Sequence, residues 1–250
     1  MNESCLNSAC YISLGATQEI PALRIYKGRN ATIQEFPYQI SLETNGRFTC
    51  GGSIISRHHV ITAGHCVDSS NLTVRAGSSY RGRGGSVHKV LKVIRHENYV
   101  FKSYYSVPEN DIAILFVKEP FKFDKTRQPV SIFNRGEESL PGSKAVLSGW
   151  GKLENGLLPE QLQTIEIPVV SKKFCHIAYV MHGGLFRGQI CVLDGKGGTS
   201  CNGDSGGPLV IDGRLAGLVS GAHKCGHHFY PAIFTEIGYF RDWIDEKLFQ

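Results

Sequence analysis

The sequence predicts an all-β protein built as two barrel-like halves and closed by a C-terminal helix. Three observations carry this prediction. From Ile25 onward, short runs rich in β-branched and aromatic residues alternate with Gly, Pro, Asn and Asp, the punctuation of tight turns between strands. The rhythm falls into two groups, one before residue 120 and one resuming after Pro141, so the halves join near residues 120 to 140. Only the last segment changes period, from two to about 3.6 residues.

In the first half the strand-like runs are Phe36 to Leu42, Val60 to Thr62 and Val87 to Ile94. In the second they are Lys144 to Trp150, Leu162 to Val170 and Leu215 to Ser220. The final stretch, Tyr239 to Phe249, sets Tyr239, Phe240, Trp243, Ile244 and Leu248 at helical spacing, which describes a helix packed on the body of the protein. No internal repeat is present.

Composition narrows the class. A chain of 250 residues with 41% hydrophobic residues, 20% charged residues and 29 glycines describes a turn-rich globule with one large core. No apolar run of about 18 residues exists, so a membrane is not an expected partner. The net charge of +5 comes without interleaved aromatic and basic motifs, so nucleic acid is not expected either. Eight cysteines with neither a CxxC pair nor zinc-ligand spacing point to disulfides and an oxidising compartment. Sequons at Asn2, Asn30 and Asn71 fit an extracellular glycoprotein. Residues 1–24 read as processing sequence, a propeptide or N-terminal extension, although the longest apolar stretch there, Ala9 to Ile12, is no signal peptide.

The residues that carry chemistry lie in three short segments. A serine hydroxyl attacks a carbonyl carbon when a neighbouring base takes its proton, and an acid is needed to orient that base. Gly203 to Pro208 surrounds Ser205 with glycines that let a loop turn tightly and bring backbone N–H groups beside the hydroxyl. Thr62 to Cys66 sets His65 after a strand-like run and beside a cysteine, and Asn110 to Leu115 sets Asp111 at the head of an apolar strand.

Together, in the order His, Asp, Ser, these segments resemble the trypsin and chymotrypsin family of serine proteases, over residues 25–250. The resemblance implies two six-stranded antiparallel β-barrels with a C-terminal helix. It casts Ser205 as nucleophile, His65 as general base then acid, Asp111 as its orienting partner, and the N–H groups of Gly203 and Ser205 as an oxyanion hole. No metal or organic cofactor is then required. It also implies cleavage at Arg24-Ile25, with the new Ile25 ammonium pairing with Asp204 to order the site. By the same template Cys50 pairs with Cys66, Cys175 with Cys191, and Cys201 with Cys225, leaving Cys5 and Cys10 to pair with each other or with another chain. The implied partners are protein or peptide substrates, an activating protease and protein protease inhibitors, and the implied state is a secreted monomer.

Specificity follows from the positions that form the family's primary pocket. Thr199 stands at its base, where an aspartate would select Arg and Lys, and Ser220, Ala222 and Ala232 map to its walls. An uncharged base leaves a cationic substrate side chain desolvated and unpaired, so an apolar preference is expected, with Leu, Met, Phe and Tyr ahead of Arg and Lys. Gly221 replaces the family's usual tryptophan beside the pocket, and Gly64 replaces the alanine before the histidine, at about 1 kcal/mol of local rigidity. These changes around the cleft leave a second reading, a non-catalytic homologue acting as a binding or regulatory protein, which the intact Ser, His and Asp set disfavours.

Three further clusters stand out. Tyr99, Phe101, Tyr104 and Tyr105 sit on a loop that can wall upstream subsites or be merely exposed. Residues 69–96 hold no acid but carry Arg75, Arg81, Arg83, Lys89, Lys92 and Arg95, which disfavours calcium and reads as a solvated basic face or a site for an acidic partner. His223, His227 and His228 lack fixed metal-ligand spacing and read as polar surface.

Overall fold

The computed structural model describes residues 28–101, 107–195, 197–222 and 225–249. Arg24, Ile25, Cys5, Cys10, Asn2, Tyr104, Tyr105 and His223 lie outside the described residues.

After a two-residue strand β1 (Arg29–Asn30), the strands β2 (Gln39–Thr44), β3 (Arg47–Ile54), β4 (His59–Thr62), β5 (Leu72–Ala76), β6 (Ser86–Arg95) and β7 (Ala113–Val117) form the first barrel. Their order is β2-β3-β4-β7-β6-β5, and β5 pairs back onto β2. Leu72, Val74 and Ala76 of β5 are buried while Thr73 and Arg75 are half-buried, the two-residue period of a strand with one wet face. Inside lie Ile40, Leu42, Ile54, Val60, Val74, Leu115 and Phe121.

The chain then crosses to the second half past β8 (Ser131–Ile132), which lies parallel to β13 (Arg214–Gly221). The second barrel comprises β9 (Lys144–Gly149), β10 (Gln163–Val170), β11 (Gln189–Val192), β12 (Pro208–Ile211), β13 and β14 (Ala232–Glu236). Its antiparallel order is β10-β11-β14-β13-β12-β9, and the pairing of β9 with β10 closes it. All-antiparallel closure removes every free edge, which protects strands of this length from pairing with other chains. Among the described residues no helix is long and apolar enough to cross a membrane.

Two α-helices complete the fold among the described residues. One, α1 (Lys172–Ala178), starts where Ser171 Oγ accepts from Phe174 N at 3.1 Å, and the sequence reading had no helix there. The other, α2 (Ile237–Leu248), is the expected C-terminal helix and buries Phe240, Trp243 and Ile244. Tyr239, expected on the same face, is instead 53% exposed, and Leu248 is only partly buried. With the first turn at Ile237, the inward stripe begins on Ile237 and passes to Phe240, which turns Tyr239 outward. The helix also reaches the first barrel. Trp243 Nε1 and Lys247 Nζ both donate to Glu97, at 2.8 and 2.7 Å, and the His96 ring packs edge-on against Phe240 and tilted against Trp243.

Candidate active site

The seam between the barrels gathers the three segments singled out in the sequence. His65 sits on a single 3-10 turn, Gly64–Cys66, that leaves β4, and the bond from Cys66 to Cys50 ties this turn back to β3. Cys50, Cys66 and His65 come within 4.8 Å of one another, but the two sulfurs are bonded together and offer no thiolate to a metal.

Asp111 is 1% exposed and is held from both barrels. Its Oδ1 accepts from the backbone N of His65 at 2.9 Å and its Oδ2 from His65 Nδ1 at 2.8 Å. From the second barrel, Ser220 Oγ donates to Oδ2 at 2.6 Å and Thr235 Oγ1 to the Asp111 carbonyl at 2.7 Å. Neither side-chain contact was legible in the sequence, since the partners lie more than a hundred residues away. The preceding residue, Asn110, takes a left-handed φ of 51°, and its amide donates to Asn98 O at 2.8 Å.

An Nδ1 that donates to a carboxylate leaves Nε2 as the basic nitrogen. Burial of the ring favours the neutral form, but the charge and hydrogen bond of Asp111, with the charge of Asp68 beyond, outweigh it and hold the His65 pKa above its ordinary value.

Ser205 comes from the loop before β12. Its carbonyl accepts from Gly51 N at 2.8 Å, and Thr62 Oγ1 donates to Gly51 O at 2.8 Å, so the loop is docked on the end of β4 that leads to His65. Any Cβ at Gly206, whose φ is +73°, would lie 2.1 Å from Thr62 Oγ1. Only glycine permits that approach. Among the described residues Ser205 and His65 share no hydrogen bond; the Ser205 loop is tied to β3 at Gly51, and Gly51 to the strand that leads to His65. Free enzymes often hold such pairs apart until substrate arrives.

Asp204 lies beneath this loop, 1% exposed. Gly151 N and Cys201 N donate to its two oxygens at 2.8 and 3.0 Å, while burial raises its pKa to about 6. Room for it is made by Gly149 and Gly151, where a Cβ would fall 2.2 Å from one or other carboxylate oxygen.

The expected pocket residues are placed unevenly. Thr199 is 2% exposed, and its Oγ1 has no partner among the described residues. Ala232 is buried in β14, Ala222 is exposed, and the Ser220 hydroxyl faces Asp111. The bonds Cys201–Cys225 and Cys175–Cys191 are formed, the first close to Thr199 in the chain. A Cβ built on Gly221 meets nothing within 4 Å among the described residues, where the family's usual tryptophan would stand.

The neighbouring clusters also resolve. Tyr99 leans on the histidine turn, its ring 3.1 Å from where a Gly64 Cβ would stand, and carries the Arg95 guanidinium over its ring at 5.1 Å. Burial, with the charges of Asp111 and Asp68, pushes its hydroxyl up to about 12. Phe101 is exposed. Much of the basic face is spent on partners: Arg75 pairs with Glu43, Arg83 with Glu160 and Arg95 with Asp68. His227 packs on Tyr230 at 4.9 Å, and His228 faces Gly195 O at 3.4 Å.

Comparison with known proteins agrees with the geometry. Residues 25–244 match the family model described as Trypsin. Trypsin alpha of Drosophila melanogaster is 36% identical over 249 residues, covering 96% of this chain and 95% of that protein. Trypsin 5G1 of Aedes aegypti is 39% identical, covering 89% and 84%, and the vitellin-degrading protease of Bombyx mori is 33% identical, covering 96% and 93%. Among solved structures, neuropsin, a serine protease expressed in the limbic system of mouse brain, superposes with a TM-score of 0.82 at 28% identity, covering 90% of this chain and all of that one. Sequence and fold give the same answer, and the chain belongs to the trypsin family of serine endopeptidases.

Proposed function

We propose that this chain is a secreted zymogen whose domain from residue 25 onward, once cut at Arg24-Ile25, hydrolyses peptide bonds with Ser205, His65 and Asp111, and prefers uncharged apolar side chains before the cut. The observation that carries the reading is the doubly held carboxylate: Asp111 orients His65 through Oδ1 and Oδ2 and is itself fixed from the other barrel. With Nδ1 engaged, Nε2 faces outward as the base for Ser205. The Asp111 charge then stabilises the imidazolium while the N–H groups of Gly203 and Ser205 receive the oxyanion.

Activation rests on Asp204. A carboxyl at this depth has only backbone donors among the described residues, and a new Ile25 ammonium would supply the missing cation. Protein substrates, the protease that cuts at Arg24 and protein inhibitors that occupy the cleft are the partners this mechanism calls for, with the chain acting as a monomer.

Specificity rests on Thr199. A buried hydroxyl replaces the carboxylate that would neutralise Arg or Lys, so a cationic side chain there loses its water without gaining a counter-charge. The test is to cut the chain at Arg24, inhibit the activating protease and profile a peptide library varied at the residue before the scissile bond. Cleavage after Leu, Met, Phe or Tyr that vanishes in Ser205→Ala supports the proposal. No hydrolysis from protein with a verified Ile25 terminus would overturn it in favour of a non-catalytic homologue.

A further inference from the structure

The loop between β5 and β6 does more than carry charge. Ser79 O accepts from Leu162 N at 2.8 Å and from Trp150 Nε1 at 3.3 Å, and Tyr80 bridges to Gln161. Arg81, half-buried, makes the tightest attachment. Its backbone N donates to Glu160 O at 2.8 Å, its Nε to Pro159 O at 3.0 Å and its second guanidinium nitrogen to Leu158 O at 3.4 Å. A planar guanidinium with fixed donors is suited to holding successive carbonyls of a turn, which a lysine would not reproduce.

The turn it holds belongs to the loop after β9, which touches the nucleophile segment at three points. Lys152 N donates to Asn202 O at 2.9 Å, and Gly151 N donates to Asp204 at 2.8 Å. Leu158 packs on Gly203 so closely that a Cβ there would lie 3.2 Å from its Cδ2. Gly203, at a φ of 102°, has no side chain of its own to fix its peptide plane. Its orientation depends on what packs against it.

We propose that Arg81 is a positioning residue for the oxyanion hole: by pinning residues 158–160 it seats Leu158 on Gly203 and Gly151 on Asp204. The proposal rests on the reading of Gly203 and Ser205 as oxyanion donors. It also gives part of the basic segment an internal role. Arg83 reaches the same turn through Glu160, but that pair is exposed on both sides and is worth little, so it serves as the control.

The experiment compares Arg24-cleaved wild type, Arg81→Ala, Arg83→Ala and Leu158→Ala. For each, kcat and KM are measured on one peptide, together with affinities for a peptidyl trifluoromethyl ketone, whose adduct with Ser205 carries an oxyanion, and for the matching product peptide, which needs none. Arg81→Ala should lower kcat by about tenfold and weaken the ketone by about tenfold, while KM and product affinity stay within about twofold. Arg83→Ala should match wild type on all four. Leu158→Ala should repeat the Arg81→Ala pattern, and it decides the matter if the arginine variant does not accumulate as folded protein. Unchanged kcat in a folded Arg81→Ala, or in Leu158→Ala, overturns the proposal. So does a loss shared equally by ketone and product. Inactive wild type with an Ile25 terminus would instead overturn the reading of the site on which it stands.

Discussion

Ser220 Oγ donates at 2.6 Å to Asp111 Oδ2, the same oxygen that accepts from His65 Nδ1 at 2.8 Å. Ser220 was expected as a wall of the substrate pocket, yet its hydroxyl serves the carboxylate. A hydrogen bond to a buried charge contributes about 1.5 to 3 kcal/mol, so Ser220→Ala should lower kcat about tenfold and leave KM within about twofold. The acid limb of the pH profile reports His65, which must be neutral to accept a proton, and its raised pKa places that limb above 6.5. Removing one donor from Oδ2 leaves more of the Asp111 charge for the imidazolium, so the limb should move higher still in the variant. A rise in KM at unchanged kcat would return Ser220 to the substrate pocket.

Asp204 gives the uncut chain a distinctive pH dependence. Its folded pKa of about 6 exceeds the ordinary aspartate value of 3.8, so the folded state holds the proton more tightly than the unfolded one. That contribution is full below about 3.8 and is lost as pH rises through 6, amounting to roughly 3 kcal/mol by linkage. Thermal unfolding of the uncut chain should therefore show stability falling between about pH 4 and 6.5 from this group, and Asp204→Asn should flatten that slope. After cleavage, pairing with the Ile25 ammonium would lower the pKa and reverse the slope. An Asp204→Asn variant with the wild-type slope would show that the carboxyl does not titrate in this window.

These two residues also mark what a sequence can and cannot convey. The segments of Asp111, His65 and Ser205 stand out in the sequence by their glycines and apolar strand, and the structure brings Asp111 and His65 into hydrogen bond. The strand β10 was legible as the run from Leu162 to Val170, whereas β5, five residues long, was not singled out although its burial alternates. Ser220 and Thr235 were not legible as partners of Asp111, because only barrel closure brings them to it. The basic run from Arg75 to Arg95 is a solvated face at Arg83, Lys89 and Lys92, but the attachments of Arg75 and Arg81 were not legible for the same reason. Its partners Glu43 and Glu160, and the carbonyls of residues 158 and 159, are 32 to 78 residues distant in the chain, and an unpaired sequence looks like an unpaired surface. The helix α1 escaped because its seven residues leave Phe174 and Ile177 exposed, so no inward stripe announced it.

Thr199 offers a change of specificity with a stability cost attached. A carboxylate in its place would enter a site 2% exposed, where even the present hydroxyl has no partner among the described residues. Thr199→Asp should destabilise the free protein by about 2 to 4 kcal/mol at neutral pH, where the buried acid must either ionise unpaired or hold its proton. Hydrolysis after Arg and Lys should rise at least about tenfold as the substrate supplies the missing cation, while hydrolysis after Leu falls. Unfolding midpoints and a two-substrate kinetic comparison measure both effects. A stable variant that still rejects Arg would remove Thr199 from the pocket.

Gly221 tests the cleft beside that pocket. It ends β13, carries no left-handed φ, and a Cβ there meets nothing within 4 Å among the described residues, so a side chain can be added there without backbone strain. Gly221→Trp should change stability by less than about 1 kcal/mol, because it replaces no packed atom and fills no closed space. An indole at this position would cover apolar substrate side chains upstream of the cut. A peptide with several upstream residues should therefore show KM about three- to tenfold lower, at about 0.8 kcal/mol per methylene buried, while a substrate with a single residue before the cut should be unaffected. If both substrates respond alike, the added ring acts on the primary pocket or on the loop that carries it, and the open space beside Gly221 is not a subsite.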